Sequence, residues 1–126
     1  MLLLYGCTGQ DAVQVMAPTS IQEYKIVATP KVVYQRLYTR MNLCRTVHNL
    51  FMAGDLVGGM DPDGAHGRLY VAKYGRTLWG ARIEPIPEGT KIITQIGPDA
   101  PSDRFHVLMR TWADGKRPPS TGYSEC

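Results

Sequence analysis

The sequence predicts an α+β domain: an antiparallel sheet of four to five strands, one long helix packed across it and a short C-terminal helix, in the order β-α-β-β-β-β-α. Three observations predict it. Residues 30–49 hold no glycine and only a leading proline, and their apolar side chains recur at helical steps. Residues 68–96 hold three strand-like runs joined by short turn sequences, the pattern of an antiparallel meander. Residues 102–115 show a second, shorter helical period closed by a glycine.

The first strand is placed at residues 21–28. Gln22, Tyr24, Ile26 and Ala28 alternate with Ile21, Glu23, Lys25 and Val27, which suits a half-buried strand. Thr29-Pro30 then starts the long helix. The threonine hydroxyl caps it, and proline suits the first turn, where its missing N–H has no partner to lose. Val33, Leu37, Met41, Cys44 and His48 stack on one face, widened by Tyr34, Tyr38 and Val47. Arg40 falls at the edge of that face. It is either a stem lying on apolar surface with its head in water, or a buried cation waiting for an acidic ligand or partner.

The helix gives way near Asn49. Residues 55–60 form a weak strand in which Gly58-Gly59 marks a bulge or the close approach of another backbone. Asp61-Pro62-Asp63-Gly64 is a turn. Residues 68–74 are the next strand, Gly75-Arg76 the tight connection, and residues 77–84 the strand after it, with Leu78, Gly80, Arg82 and Glu84 facing away from Thr77, Trp79, Ala81 and Ile83. Residues 85–89 read as a loop and 90–96 as the last strand. Ser102 then caps a short helix in which Phe105, Leu108, Met109 and Trp112 share a face, and Gly115 supplies the left-handed terminus.

With 126 residues, 44% hydrophobic and 20% charged, the chain is long enough for one domain with a core. The boundaries are expected at 1–20 for a truncated signal, lipid-anchor region and tether, 21–115 for the single α+β domain, and 116–126 for a disordered tail. The net charge of +3 comes from 14 basic and 11 acidic residues spread along the chain, so no nucleic-acid partner is expected. No run approaches the ~20 apolar residues of a membrane span.

At the N-terminus an apolar run ends in Leu4-Tyr5-Gly6-Cys7. This resembles the lipobox of bacterial lipoproteins, which implies cleavage before Cys7 and lipidation of that cysteine. It also implies a place on the periplasmic side of a bacterial membrane, the outer membrane foremost. Residues 8–20 would be the tether. Val27-Ala28-Thr29-Pro30 running on to Leu37, and the hairpin from Trp79 to Ile96 with its Pro87-Glu88-Gly89-Thr90 turn, resemble a reduced helix-grip or START-like architecture. The domain is also similar to the small domains of envelope lipoproteins that help to assemble outer-membrane machinery. The helix-grip resemblance implies an apolar ligand pocket between Tyr34, Tyr38 and Met41 and the sheet, with Arg40 at its rim.

Candidate chemistry is sparse. Cys44 and His48 have a spacing that suits a metal, but zinc needs about four ligands and no second local pair exists, so no metal or other cofactor is expected. If Cys7 carries lipid, Cys44 and Cys126 are either a disulfide or two thiols. Asp61 and Asp63 lack the further acidic ligands of a calcium loop. No Ser/His/Asp constellation stands out, and no residue is assigned a catalytic role. The sequence therefore reads as a lipid-anchored, non-catalytic interaction domain whose partners are the membrane and other envelope proteins; the alternative is a small apolar-ligand binder.

Overall fold

The computed structural model describes residues 18, 20–47, 54–98 and 104–116, and of 44–47 the backbone only. The elements are β1 (Ser20–Ile26), α1 (Pro30–Val47), β2 (Asp55–Met60), β3 (Gly67–Lys73), β4 (Arg76–Ile86), β5 (Gly89–Ile96) and α2 (Arg104–Ala113). The strands form one five-stranded antiparallel sheet in the order β1-β5-β4-β3-β2. Strands β2 to β5 are a meander, and β1 adds to its far side along β5. Both helices lie on one face: α1 packs on β2 to β5, and α2 on β5, β1 and β4. This is the α+β class that the sequence predicts.

The start of α1 is built as its residues dictate. The Thr29 carbonyl accepts the Val33 N–H at 3.0 Å, and its hydroxyl accepts the Val32 N–H at 3.4 Å. Val33, Leu37 and Met41 are then fully buried on the sheet. They meet Leu69 and Val71 of β3, Ala81 and Ile83 of β4, and Ile92 of β5 in one core. The register sets those residues side by side, Leu69 opposite Ala81 and Ile83 opposite Ile92. Each fully buried aliphatic side chain contributes about 1.5–3 kcal/mol. From α2, Phe105 stacks on Trp79 with ring centroids 4.4 Å apart and planes 7° off parallel. Such a pair adds about 0.5–1.5 kcal/mol beyond the area buried. The C-terminus of α2 closes on Gly115 (φ 78°), whose N–H reaches Trp112 O at 2.9 Å while Lys116 N–H reaches Thr111 O at 3.0 Å.

Four details depart from the sequence reading. First, β1 runs from Ser20 to Ile26, and Val27 and Ala28 bend out of it. The bend lets Ala28 O accept the Thr90 hydroxyl at 2.6 Å. Second, residues 85 and 86 belong to β4, so the expected loop shrinks to a turn at Pro87-Glu88. Proline is tolerated there because β3 pairs with β4 only as far as Ile83, leaving Pro85 on an open edge where no N–H is needed. Third, the connection between β3 and β4 is Tyr74-Gly75, both at positive φ (53° and 75°), which suits a two-residue hairpin. Fourth, Leu78 does not simply alternate away from Trp79. A bulge pairs Val71 with Trp79 and Ala72 with Thr77, and the extra residue Leu78 joins the buried cluster.

Gly58 shows the close approach expected of it. At φ 119°, an added Cβ would meet the Arg68 backbone, with Arg68 C at 2.9 Å. On the sheet face away from the helices, Tyr70 lies against Gly80 and donates its hydroxyl to Gln95 Oε1 at 3.0 Å.

Candidate functional site

A groove of about 510 Å³ runs between the outer flank of α1 and the C-terminal end of α2. Helical geometry builds its near wall. Val32, Arg36 and Arg40 recur every four residues and so form a stripe beside the core stripe of Val33, Leu37 and Met41, with Gln35 and Thr39 next to them. Trp112, Gly115 and Lys116 form the far wall. Arg36 ties the two walls together by donating Nη1–H to Ala113 O at 3.0 Å, which satisfies one of the last carbonyls of α2. Gly115 makes room for it, since an added Cβ there would lie 3.0 Å from Arg36 Cζ. Trp112 is 1% exposed, and its Nε1–H has no hydrogen-bond partner among the described residues.

Three of the groove's side chains are cations, Arg36, Arg40 and Lys116, and no carboxylate lines it among the described residues. Asp114, just outside, pairs with Lys116 at 3.2 Å, an exposed contact of little energetic weight. The groove sits in a wider field. Helix α1 holds four basic residues (Lys31, Arg36, Arg40, Arg45), α2 holds two (Arg104, Arg110), and neither helix holds an aspartate or glutamate. The even spread of charge along the chain therefore hides a segregation in space. Within the two helices themselves the charged residues carry one sign. The opposite sheet face mixes both, with Lys91 3.6 Å from Glu84, Arg82 3.1 Å from Glu84 and Arg68 2.8 Å from Asp61.

The residues expected to frame an apolar pocket are dispersed. Met41 is 1% exposed and belongs to the core. Tyr34 and Tyr38 stack on each other at 6.0 Å on the flank of α1 away from the groove, and Tyr38 is 44% exposed. Burial and then the neighbouring Tyr38 raise the Tyr34 phenol above its usual value. Arg40 is half-buried and borders the groove, which none of the other three lines. Cys7, His48, Ser102 and Cys126 lie outside the described residues, as does the Cys44 side chain, and so do the lipidation site, the candidate disulfide and the expected cap of α2.

A second arrangement went unread in the sequence. His106, 1% exposed, is held by Ser20 Oγ at 2.7 Å from Nε2 and Thr94 Oγ1 at 2.5 Å from Nδ1. The Thr94 hydroxyl also lies 3.3 Å from Gln22 O, which can accept its hydrogen. A hydroxyl, an imidazole and an orienting group in that order are the parts of an activated nucleophile. Here they join β1, β5 and α2, and neither that groove nor a smaller one near Asp61 touches them. Their evident work is to satisfy buried polar groups across three elements.

The Asp61–Gly64 turn is also more organised than its sequence suggests. Asp63 Oδ1 accepts the N–H groups of Ala65 (2.8 Å) and His66 (3.1 Å), and its other oxygen lies 2.7 Å from His66 Nδ1. The Ala65 and His66 amides, then the His66 side chain, hold the Asp63 carboxyl down at about 2. No group of three or more metal-ligating side chains occurs among the described residues.

The chain matches no protein-family model, no curated protein and no solved structure.

Among the groove's cations, Arg36 and Lys116 were the ones that sequence reasoning missed. For Arg36 the available signal was the absence of acids from residues 30–49, which a count over the whole chain averages away; Lys116 lies beyond both helices and had none.

Proposed function

We propose that the chain is a lipid-anchored protein of the bacterial envelope, held at Cys7 on the periplasmic side of a membrane, whose domain is a non-catalytic interaction module for other envelope proteins. The observation that carries the interaction reading is the charge of the helical layer, six basic and no acidic residues over α1 and α2, with a groove set into it. A surface of one sign selects partners of the other and speeds their encounter. The anchor reading stands on Gly6-Cys7 behind an apolar run. Several acyl chains on one cysteine give stable attachment, where a single chain is marginal. No helix among the described residues is long and apolar enough to cross a membrane.

Mass analysis of the mature protein tests the anchor. The expected result is a chain in the membrane fraction that begins at Cys7 and carries acyl groups. An unmodified Cys7 on a chain that stays in the aqueous fraction would overturn it.

A further inference from the structure

We infer that the groove between α1 and α2 is a docking site for an extended acidic segment of a partner polypeptide, carrying two carboxylates two residues apart. The inference rests on the interaction-module reading and names the chemistry of the partner.

Charge comes first. Arg36, Arg40 and Lys116 line the groove, Lys116 sharing its charge with Asp114 just outside at 3.2 Å, and no carboxylate lines it among the described residues. Guanidinium groups form two-pronged, charge-assisted hydrogen bonds with carboxylates, which gives geometry as well as attraction. The spacing then selects the shape of the ligand. Arg36 and Arg40 are four residues apart on a helix, about 6 Å along its axis. Side chains on one side of an extended chain repeat every two residues, about 6.6–6.8 Å. Carboxylates at alternate positions of an extended segment therefore match the two arginines, whereas adjacent carboxylates point to opposite sides. Lys116 faces them from the other wall. The α1 wall spans eight residue steps from Val32 to Arg40, about 12 Å, which suits three to four extended residues. Arg36 is also held in place by Ala113 O, so part of the site exists before the ligand arrives.

The test uses the full chain and a fluorescent peptide, Gly-Glu-Ala-Glu-Gly, followed by anisotropy. Three comparison peptides replace both glutamates by glutamine, set them adjacent, or set them four residues apart. Saturable binding is expected for the alternate spacing, with at least about tenfold weaker binding for each of the others. Arg40→Gln and Lys116→Gln should each weaken the peptide by about tenfold while far-UV circular dichroism and the melting temperature stay at wild-type values. Arg36→Ala is a poorer probe because it also releases Ala113 O. Four results would overturn the proposal: no saturable binding, equal binding of the glutamine peptide, unchanged binding by Arg40→Gln and Lys116→Gln together, or tighter binding to pyrophosphate or to phosphatidylglycerol vesicles than to the peptide. The two readings fail separately. A chain with an unmodified Cys7 that binds the peptide refutes the anchor alone; an acylated chain that ignores the peptide refutes the docking site alone.

Discussion

Leu37→Ala probes whether α1 is held by its apolar stripe. Leu37 has no exposed surface and sits midway along that stripe, between Val33 and Met41. The substitution removes three carbons. At about 0.8 kcal/mol each, the lost burial comes to ~2.4 kcal/mol. The void left in the core that the helix shares with the sheet raises the loss to about 3–4 kcal/mol, because a packed core collapses only in part. Leucine and alanine differ little as helix formers, so backbone propensity offsets almost none of it. A domain of this size has roughly 5–15 kcal/mol of stability in all, so the variant should stay folded yet lose a large fraction. Urea denaturation followed by circular dichroism reads this as a lower midpoint with an unchanged slope. Lys31→Ala, at an exposed position of the same helix, is the control and should stay within about 0.5 kcal/mol of wild type. The reasoning fails if Leu37→Ala costs less than about 1 kcal/mol, or if Lys31→Ala costs as much.

Three further expectations concern the sheet and its turns. Gly80→Ala would put a Cβ 2.6 Å from Tyr70 Cα, and closer still to Leu69 O and Tyr70 Cδ1; rigid backbone on one side makes a loss of at least about 2 kcal/mol the expected outcome of thermal melting. Burial pushes the Tyr70 phenol up to about 12, with Arg82 and Arg68 opposing; since the folded value lies above the ordinary 10, its neutral form stabilises the fold below pH 10 and that contribution disappears as pH rises through about 12, so Tyr70→Phe should flatten the alkaline end of a stability profile. Asp63 is shifted the other way: its folded value near 2 lies below 3.8, so its contribution is present above pH 3.8 and lost as pH falls through about 2, an acid titration that carboxyl NMR shifts should follow and that Asp63→Ala should remove from the stability profile.

Much of this architecture could be read from residue order, and the reasons differ by element. The long helix was legible because Val33, Leu37 and Met41 repeat at a period that only a helix converts into one face, and Thr29-Pro30 marks its start. The end of α2 was legible because Gly115 adopts a φ of 78° that few residues tolerate. The extension of β4 through Pro85 was hidden. Proline argues against a central strand, and only the length of the neighbouring β3 reveals that this end of β4 is an open edge. The groove and the His106 stitch were hidden for one shared reason. Arg36 and Lys116 are 80 residues apart and Ser20 and His106 are 86 apart, so their meeting depends on how α2 docks. Local period carries no information about that.

The first strand of the domain pairs with the last strand to be made. Ile26 waits for Thr90 and Ser20 for Ile96, so 64 to 76 further residues must be synthesised before β1 has its partner. At roughly 5–20 residues per second, the nascent chain trails that segment unpaired for about 3–15 s. Strands β2 to β4 pair with their neighbours in the meantime. During that interval β1 offers its unpaired edges to any passing extended peptide, and a chaperone that shields Tyr24 and Ile26 would be protecting the newborn chain from capture by another copy.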